Sequence, residues 1–187
     1  MMPEQLSDNS IIIRKFDYSD IDPLYEAVRE SIEEVSKWLP WCHPEYSKRE
    51  TIDWFNFQAD AWFNAREFNF AVVEKNTNRF IGGCGLNQID YSNKLGNLGY
   101  WIRSADANKG YATKAAKLGA CFGFEHLKLN RIEILMATGN TASKRVAEKI
   151  GAHPEGILRN RILLHDVPND AYLFSLIPDD MEKHWKY

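Results

Sequence analysis

Cysteine is scarce in this chain, with three in 187 residues, at Cys42, Cys84 and Cys121. An odd, widely spaced set excludes a disulfide framework and reads as the reduced thiols of a cytoplasmic protein. No two of them have zinc-ligand spacing, so no metal is expected. Charge of one sign is lacking too, because 23 Lys and Arg against 26 Asp and Glu leave a net −3. That balance supplies no general attraction to nucleic acid or to an anionic membrane, and neither is expected as a direct partner. No apolar run approaches the length of a membrane span. The opening Met1-Met2-Pro3-Glu4-Gln5 lacks the basic-then-apolar order of a secretory signal. Repeats, low-complexity stretches and linkers are absent as well. One domain is therefore expected over residues 1–187, with a core from about 10 to 178.

What is present is a regular alternation of strand and helix patterns. Ile11-Ile12-Ile13 opens a strand ending near Phe16. Ser19 and Asp20 can cap a helix whose apolar residues Leu24, Ala27, Val28, Ile32 and Val35 recur at helical spacing. A second helix is predicted after Ser47, with Ile52, Phe55, Ala59, Trp62 and Phe63 as its buried stripe. Strands follow over Phe68–Glu74, Phe80–Ile89 and Leu98–Arg103, then a helix from Gly110 to about Leu127. A strand over Arg131–Ala137 precedes a short helix capped by Asn140 and ended by Gly151. Two final strands, Gly156–Leu164 and Ala171–Ile177, flank an expected turn at Val167-Pro168-Asn169-Asp170. The order β-α-α-β-β-β-α-β-α-β-β describes a mixed α/β domain.

The most informative segment is Ala107-Asn108-Lys109-Gly110-Tyr111-Ala112-Thr113, a polar loop that runs from a strand into a helix. Unpaired N–H groups at a helix start, reinforced by the helix dipole, bind anions such as phosphate. Walker A is excluded, since no Gly-x-x-x-x-Gly-Lys-Ser/Thr string occurs. Gly83-Cys84-Gly85 starts like a dinucleotide fingerprint but has Gln88 at the third glycine and no helix after it. The cluster Gly82, Gly83, Gly85 instead suggests a bulge or a strand that something approaches closely.

Gly99-Tyr100-Trp101, Lys109-Gly110-Tyr111-Ala112-Thr113 and Asn140-Thr141-Ala142-Ser143 follow one another in the order found in the GNAT superfamily of N-acetyltransferases. With Gly151-Ala152 and Glu155-Gly156 they resemble the branch that acetylates the N-termini of ribosomal proteins. The resemblance implies a single-domain GNAT fold: a mixed, mostly antiparallel sheet of about seven strands, splayed at its centre, with about four helices. It also implies acetyl-CoA as cosubstrate, with its pyrophosphate on the backbone of Asn108, Lys109, Gly110, Tyr111, Ala112 and Thr113. The strand residues Tyr100, Trp101 and Ile102 would pair with the pantetheine arm, which Asn140 would also touch, and the Ser143 hydroxyl would protonate the departing thiolate. On the acceptor side stand Asn87, Asn97 and the aromatics Trp38 and Trp41, which either line the pocket or staple two helices together. The resemblance further hints at a homodimer.

Two departures from the family pattern matter. Ala107 and Asn108 replace the usual Gln or Arg and the first glycine of the phosphate loop, although asparagine tolerates left-handed backbone angles. The two positions where relatives carry a basic glutamate fall at Ile162 and Asn97. At pH 7.4 an α-amine of pKa ~8 is about one-fifth neutral, whereas a lysine amine near ~10.4 is neutral about once in a thousand. A site without a strong base therefore favours a protein N-terminal amine. His43, His165 and Asp166 are the remaining titratable groups in expected substrate loops. Direct attack without a covalent intermediate is expected, since no histidine is placed beside Cys84 or Cys121. The alternatives are a small-molecule acetyltransferase, for an antibiotic or polyamine, and a weakly catalytic acyl-CoA-binding regulatory protein.

Overall fold

The computed structural model describes residues 3–185. Among them, eight strands form one sheet in the order β1-β2-β3-β4-β5-β6-β8-β7. The strands are β1 (Gln5–Ser7), β2 (Ile11–Lys15), β3 (Phe68–Glu74), β4 (Arg79–Asp90), β5 (Leu95–Ile102), β6 (Arg131–Ala137), β7 (His153–Leu164) and β8 (Val167–Leu176). The helices are α1 (Ile21–Val35), α2 (Lys48–Phe63), α3 (Tyr111–Glu125), α4 (Thr141–Lys149) and α5 (Pro178–His184). No helix among the described residues is long and apolar enough to cross a membrane.

The sheet is covered on both faces, and strand alternation shows how. In β3, Phe68, Phe70 and Val72 enter a core shared with Ala115, Cys121 and Phe122 of α3. The intervening Ala71 and Val73 enter a second core with Leu24, Ala27 and Val28 of α1 and Phe55 of α2. Helix α2 begins where expected: Ser47 accepts from the Glu50 amide, and the Glu50 carboxylate reaches back to the Ser47 amide at 2.8 Å.

The strand next to the loop makes the decisive break. All neighbours are antiparallel except β5 and β6, which run parallel and pair only over Leu95–Asn97 with Arg131–Glu133. Beyond Asn97, β5 stays on β4 as far as Ile102, whereas β6 follows β8 as far as Ala137. The sheet opens there into two arms, and the β5 edge from Leu98 onward faces the gap.

Several sequence expectations are corrected. β1 and α5 were not foreseen, since three residues are too few to show an alternation and α5 follows Ile177 directly on Pro178. Asp20 does stand at the N-cap position of α1 but makes no side-chain cap bond; the side-chain cap belongs to the short 3-10 turn Tyr18–Asp20 before it, where Asp17 accepts from the Ser19 amide at 2.9 Å. Asp20 is instead buried and holds Arg14 through two contacts of 2.6 and 2.7 Å. The last hairpin turns at His165-Asp166, not at Val167–Asp170. Both residues adopt left-handed angles, φ 49° and 63°, as a two-residue hairpin turn requires. Pro168 lies in β8 opposite Leu163, before that strand meets β6 at Ala171.

Candidate active site

The segment expected to hold the phosphates is shaped by two left-handed residues flanking Lys109. Asn108 has φ +63° and Gly110 φ +82°, and Gly110 is the N-cap of α3. The first backbone bond back to the loop is from the Lys114 amide to the Gly110 carbonyl, 3.2 Å. The N–H groups of the first helical turn precede that bond and point out of the helix end. Beneath the loop lies Asp106, 1% exposed, whose Oδ1 accepts from both Arg79 and Lys109. Burial alone would raise the Asp106 pKa, but the Lys109 and Arg79 contacts outweigh it and hold it below the usual carboxylate range. Tyr111 donates to Glu74 at 2.5 Å, so the β3–β4 turn braces the loop from a second side.

The split sheet joins this loop to the reaction site. Tyr100, on the α3 face of β5, reaches across to the first turn of α4. Its Oη lies 3.1 Å from the Ser143 carbonyl and 3.2 Å from Ser143 Oγ. Burial pushes the Tyr100 hydroxyl up to about 12, against a smaller lowering by the Ser143 bond. Asn140 caps α4 by accepting from the Ser143 amide at 3.1 Å, which fixes that turn. Ile102 ends β5 on the same face as Tyr100, opposite Gly82.

The opposite face of β5 carries a cavity of about 500 Å³ beneath α1 and α2. Its floor follows from register. Asn69, Gly85 and Gly99 form one cross-strand row, and Ala71, Gly83 and Trp101 form the next. A Cβ on Gly83 would lie 2.9 Å from the Trp101 indole nitrogen, and one on Gly85 would lie 2.3 Å from Asn69 Oδ1. Those two side chains thus lie flat over glycines. A Cβ on Gly99 would meet nothing within 4 Å, so the space above it is open at the edge of the split.

Of the acceptor-side residues singled out by sequence, the structure brings two to the cavity and leaves two off its wall. Trp41 lines it and packs edge-on to Trp101 at 5.7 Å. Asn87 lines it and accepts from Asn97 Nδ2 at 3.0 Å, so Asn97 acts through Asn87. Trp38 packs elsewhere, against Gly139 in the β6–α4 connection, where an added Cβ would lie 3.2 Å from its ring. Of the remaining titratable groups, His43 lines the cavity and lies 2.7 Å from Glu50 Oε1. His165 is away from it, with Nε2 2.9 Å from the Ser36 carbonyl, pinning the last hairpin to the end of α1. Sequence reasoning missed Glu50 and Glu67, both on the cavity wall. Only the Ser47-x-x-Glu50 capping signal marked either one.

These residues fit acetyl-CoA. Left-handed Asn108 and Gly110 open backbone donors to a pyrophosphate, the unpaired β5 edge suits an amide-bearing arm, and the space over Gly99 is free for the acyl end. Residues 10–153 match the acetyltransferase (GNAT) domain. The "Putative ribosomal N-acetyltransferase YdaF" of Bacillus subtilis (strain 168) is 30% identical over 177 residues, spanning 92% of this chain and 93% of that protein. The ribosomal-protein-serine acetyltransferase of Escherichia coli (strain K12) is 23% identical over 85% of this chain and 88% of its own length. Among solved structures, RimL, a ribosomal L7/L12 α-N-protein acetyltransferase in complex with coenzyme A, superposes with a TM-score of 0.85 at 19% identity, over 96% of this chain and 98% of that one. The chain belongs to the GNAT family and is an acetyl-CoA-dependent N-acetyltransferase.

Proposed function

We propose that this enzyme acetylates the α-amine at a protein N-terminus, of the kind found on ribosomal proteins, by direct attack on acetyl-CoA. The observation that carries this reading is the composition of the cavity of about 500 Å³: Glu50, Glu67 and His43 line it, and among the described residues no Lys or Arg does. Such a wall favours a cationic amine over an anionic or neutral acceptor. The side-chain amides of Asn69 and Asn87 offer donors and acceptors suited to a peptide backbone. Names given to the YdaF and Escherichia coli relatives support the same acceptor class.

In this reading the amine enters over Gly99, loses a proton on the cavity side, and its lone pair attacks the thioester carbon. As the carbon–sulfur bond breaks, the thiolate takes a proton from the Ser143 hydroxyl on the other face of β5, and Tyr100 Oη orients that hydroxyl. Holding the two reactants together over Gly99 at the open edge of β5 provides most of the acceleration, because a low-pKa α-amine is already partly neutral.

The test is thiol release from acetyl-CoA with three acceptors: a lysine-free peptide starting with serine, the same peptide N-terminally blocked and carrying one lysine, and spermidine. Turnover of the free N-terminus at least tenfold faster than of the other two is expected. Faster reaction with spermidine or the lysine side chain removes this assignment.

A further inference from the structure

We infer that Glu67 is the group that binds the acceptor ammonium and takes its proton through water. This rests on the amine-acetylating reading above and names the residue behind it. The argument begins with register. Phe68 pairs with Leu86 and Asn87 pairs with Asn97. Glu67, one step before Phe68, therefore extends a row that reads Glu67, Asn87, Asn97 across three strands, on the face that bears Asn69 and Gly99. The row thus carries a carboxylate on the strand two places from the split, with amides at the two nearer positions.

Three further observations place Glu67 for this work. Its Oε2 accepts from Asn69 Nδ2 at 3.2 Å, and the Asn69 side chain lies over Gly85, so the carboxylate is steered along the floor toward Gly99. It forms no ion pair among the described residues, unlike Glu50, whose Oε2 is taken by Ser47 and Oε1 by His43. It also lines a second, outer groove of about 560 Å³, beside Phe57, Gln88 and Tyr91. An amine carried on a chain that lies in that groove meets Glu67 on entering the inner cavity.

The groups that share its surroundings do not displace it. On the outer side Arg66 is engaged by Asp60, and the Tyr91 hydroxyl donates to the Ala65 carbonyl at 2.6 Å. On the inner side Tyr46 accepts from Thr51, His43 and Glu50 hold each other, Tyr100 is turned to the far face by Ser143, and Cys84 is buried beneath the floor. The proton balance is simple. The ammonium gives one proton to the carboxylate through water, and the neutral nitrogen bonds to the acetyl carbon. The sulfur leaves and takes the Ser143 proton, the second nitrogen proton passes through water to restore that hydroxyl, and Glu67 releases its proton to solvent.

The experiment compares wild type, Glu67→Gln and Glu67→Asp, with acetyl-CoA affinity measured calorimetrically as the check on folding. The probe is a lysine-free peptide starting with serine. For Glu67→Gln, kcat/KM at pH 7 is expected to fall about a hundredfold. The deficit should shrink to a few-fold by pH 9.5, where the α-amine is already neutral, and the aspartate should recover part of the rate. Acetyl-CoA affinity should stay within twofold. A wild-type rate and pH profile in Glu67→Gln, or a loss that is constant with pH, overturns the assignment. If the wild type ignores the peptide but acetylates spermidine, the N-terminal reading fails, and the same comparison on spermidine decides for or against Glu67. Absence of turnover on any amine with acetyl-CoA bound overturns both.

Discussion

Tyr100 and Ser143 bridge the two arms of the split sheet, with the Tyr100 hydroxyl 3.1 Å from the Ser143 carbonyl and 3.2 Å from its Oγ. One residue is on β5 and the other opens α4, which follows β6, so the contact spans the gap that begins after Asn97. It therefore ties the geometry of the opening to the Ser143 hydroxyl, the proposed proton donor to the leaving thiolate.

Ser143→Ala should lower kcat about a hundredfold while leaving acetyl-CoA affinity within a few-fold. Tyr100→Phe should lower kcat less, since it removes the orientation and not the donor. The double variant should be no slower than Ser143→Ala alone, because the two hydroxyls act as a unit. Steady-state rates of the three variants, with calorimetric binding, check this.

The phosphate loop should respond to backbone freedom and not to side-chain polarity at position 108. Asn108 holds φ +63°, a region costing a typical L-residue about 1–2 kcal/mol. Asn108→Gly is expected to bind acetyl-CoA as well as wild type or slightly better. Asn108→Val should weaken binding about tenfold or more, since a β-branched residue resists that region most. Titration calorimetry of the two variants separates the effects.

Two glycines of the sheet should fail in different ways. At Gly99 a Cβ meets no protein atom, so Gly99→Val should keep the melting temperature near that of wild type and lose acetyl transfer by filling the reaction space. At Gly82 the backbone has φ +155°, and a Cβ would lie 2.2 Å from the Trp101 carbonyl. Gly82→Ala should therefore cost about 2–3 kcal/mol of stability. Thermal melts alongside thiol-release assays distinguish the two outcomes.

Asp106→Ala should destabilise the loop by about 1–2 kcal/mol, since it removes the shared acceptor of Arg79 and Lys109 while both cations stay in contact with solvent, and weaken acetyl-CoA binding. The Asp106 carboxyl is held below its ordinary value by Lys109 and Arg79 despite its burial. Its contribution is thus present above the unfolded-state pKa near 4 and is lost as pH falls through the lower folded-state value. Wild type should lose stability on acidification through this window, and Asp106→Asn should show a flatter acid limb in denaturant titrations.

At the alkaline end, burial pushes the Cys84 thiol from 9.0 up to about 12. The unfolded chain releases this proton first, so the stabilisation is full below pH 9 and declines as pH rises toward 12. Burial likewise raises Tyr100 from 10.0 to about 12 and adds to the decline above pH 10. Cys84→Ala should flatten the stability profile between pH 9 and 10, measured as the urea midpoint against pH.

Much of this fold was legible because its signals are local. The cap at Ser47 with Glu50, the alternation Phe68, Phe70, Val72 and the run from Lys109 to Thr113 all lie within a few residues of one another. So does the Asn140 cap that sets Ser143. The turn at His165-Asp166 was missed because prolines and asparagines nearby carry stronger turn statistics than a His-Asp pair, although both residues tolerate left-handed angles. Trp38 was missed as a partner of Gly139 because a hundred residues separate them and no periodicity links the two.

By itself, then, the sequence determined the order of the longer elements and the class of cosubstrate, since these depend on backbone preferences and side-chain periods within single segments. Only the tertiary structure formed the cavity proposed for the acceptor. Its floor is an alignment of residues from three strands, in which Gly85 leaves room for the Asn69 side chain and Gly99 leaves open space through the Cβ it lacks. An absence becomes a cavity only when register sets it beside others. The same register brings Glu67 into one row with Asn87 and Asn97, a relationship no spacing along the chain could express.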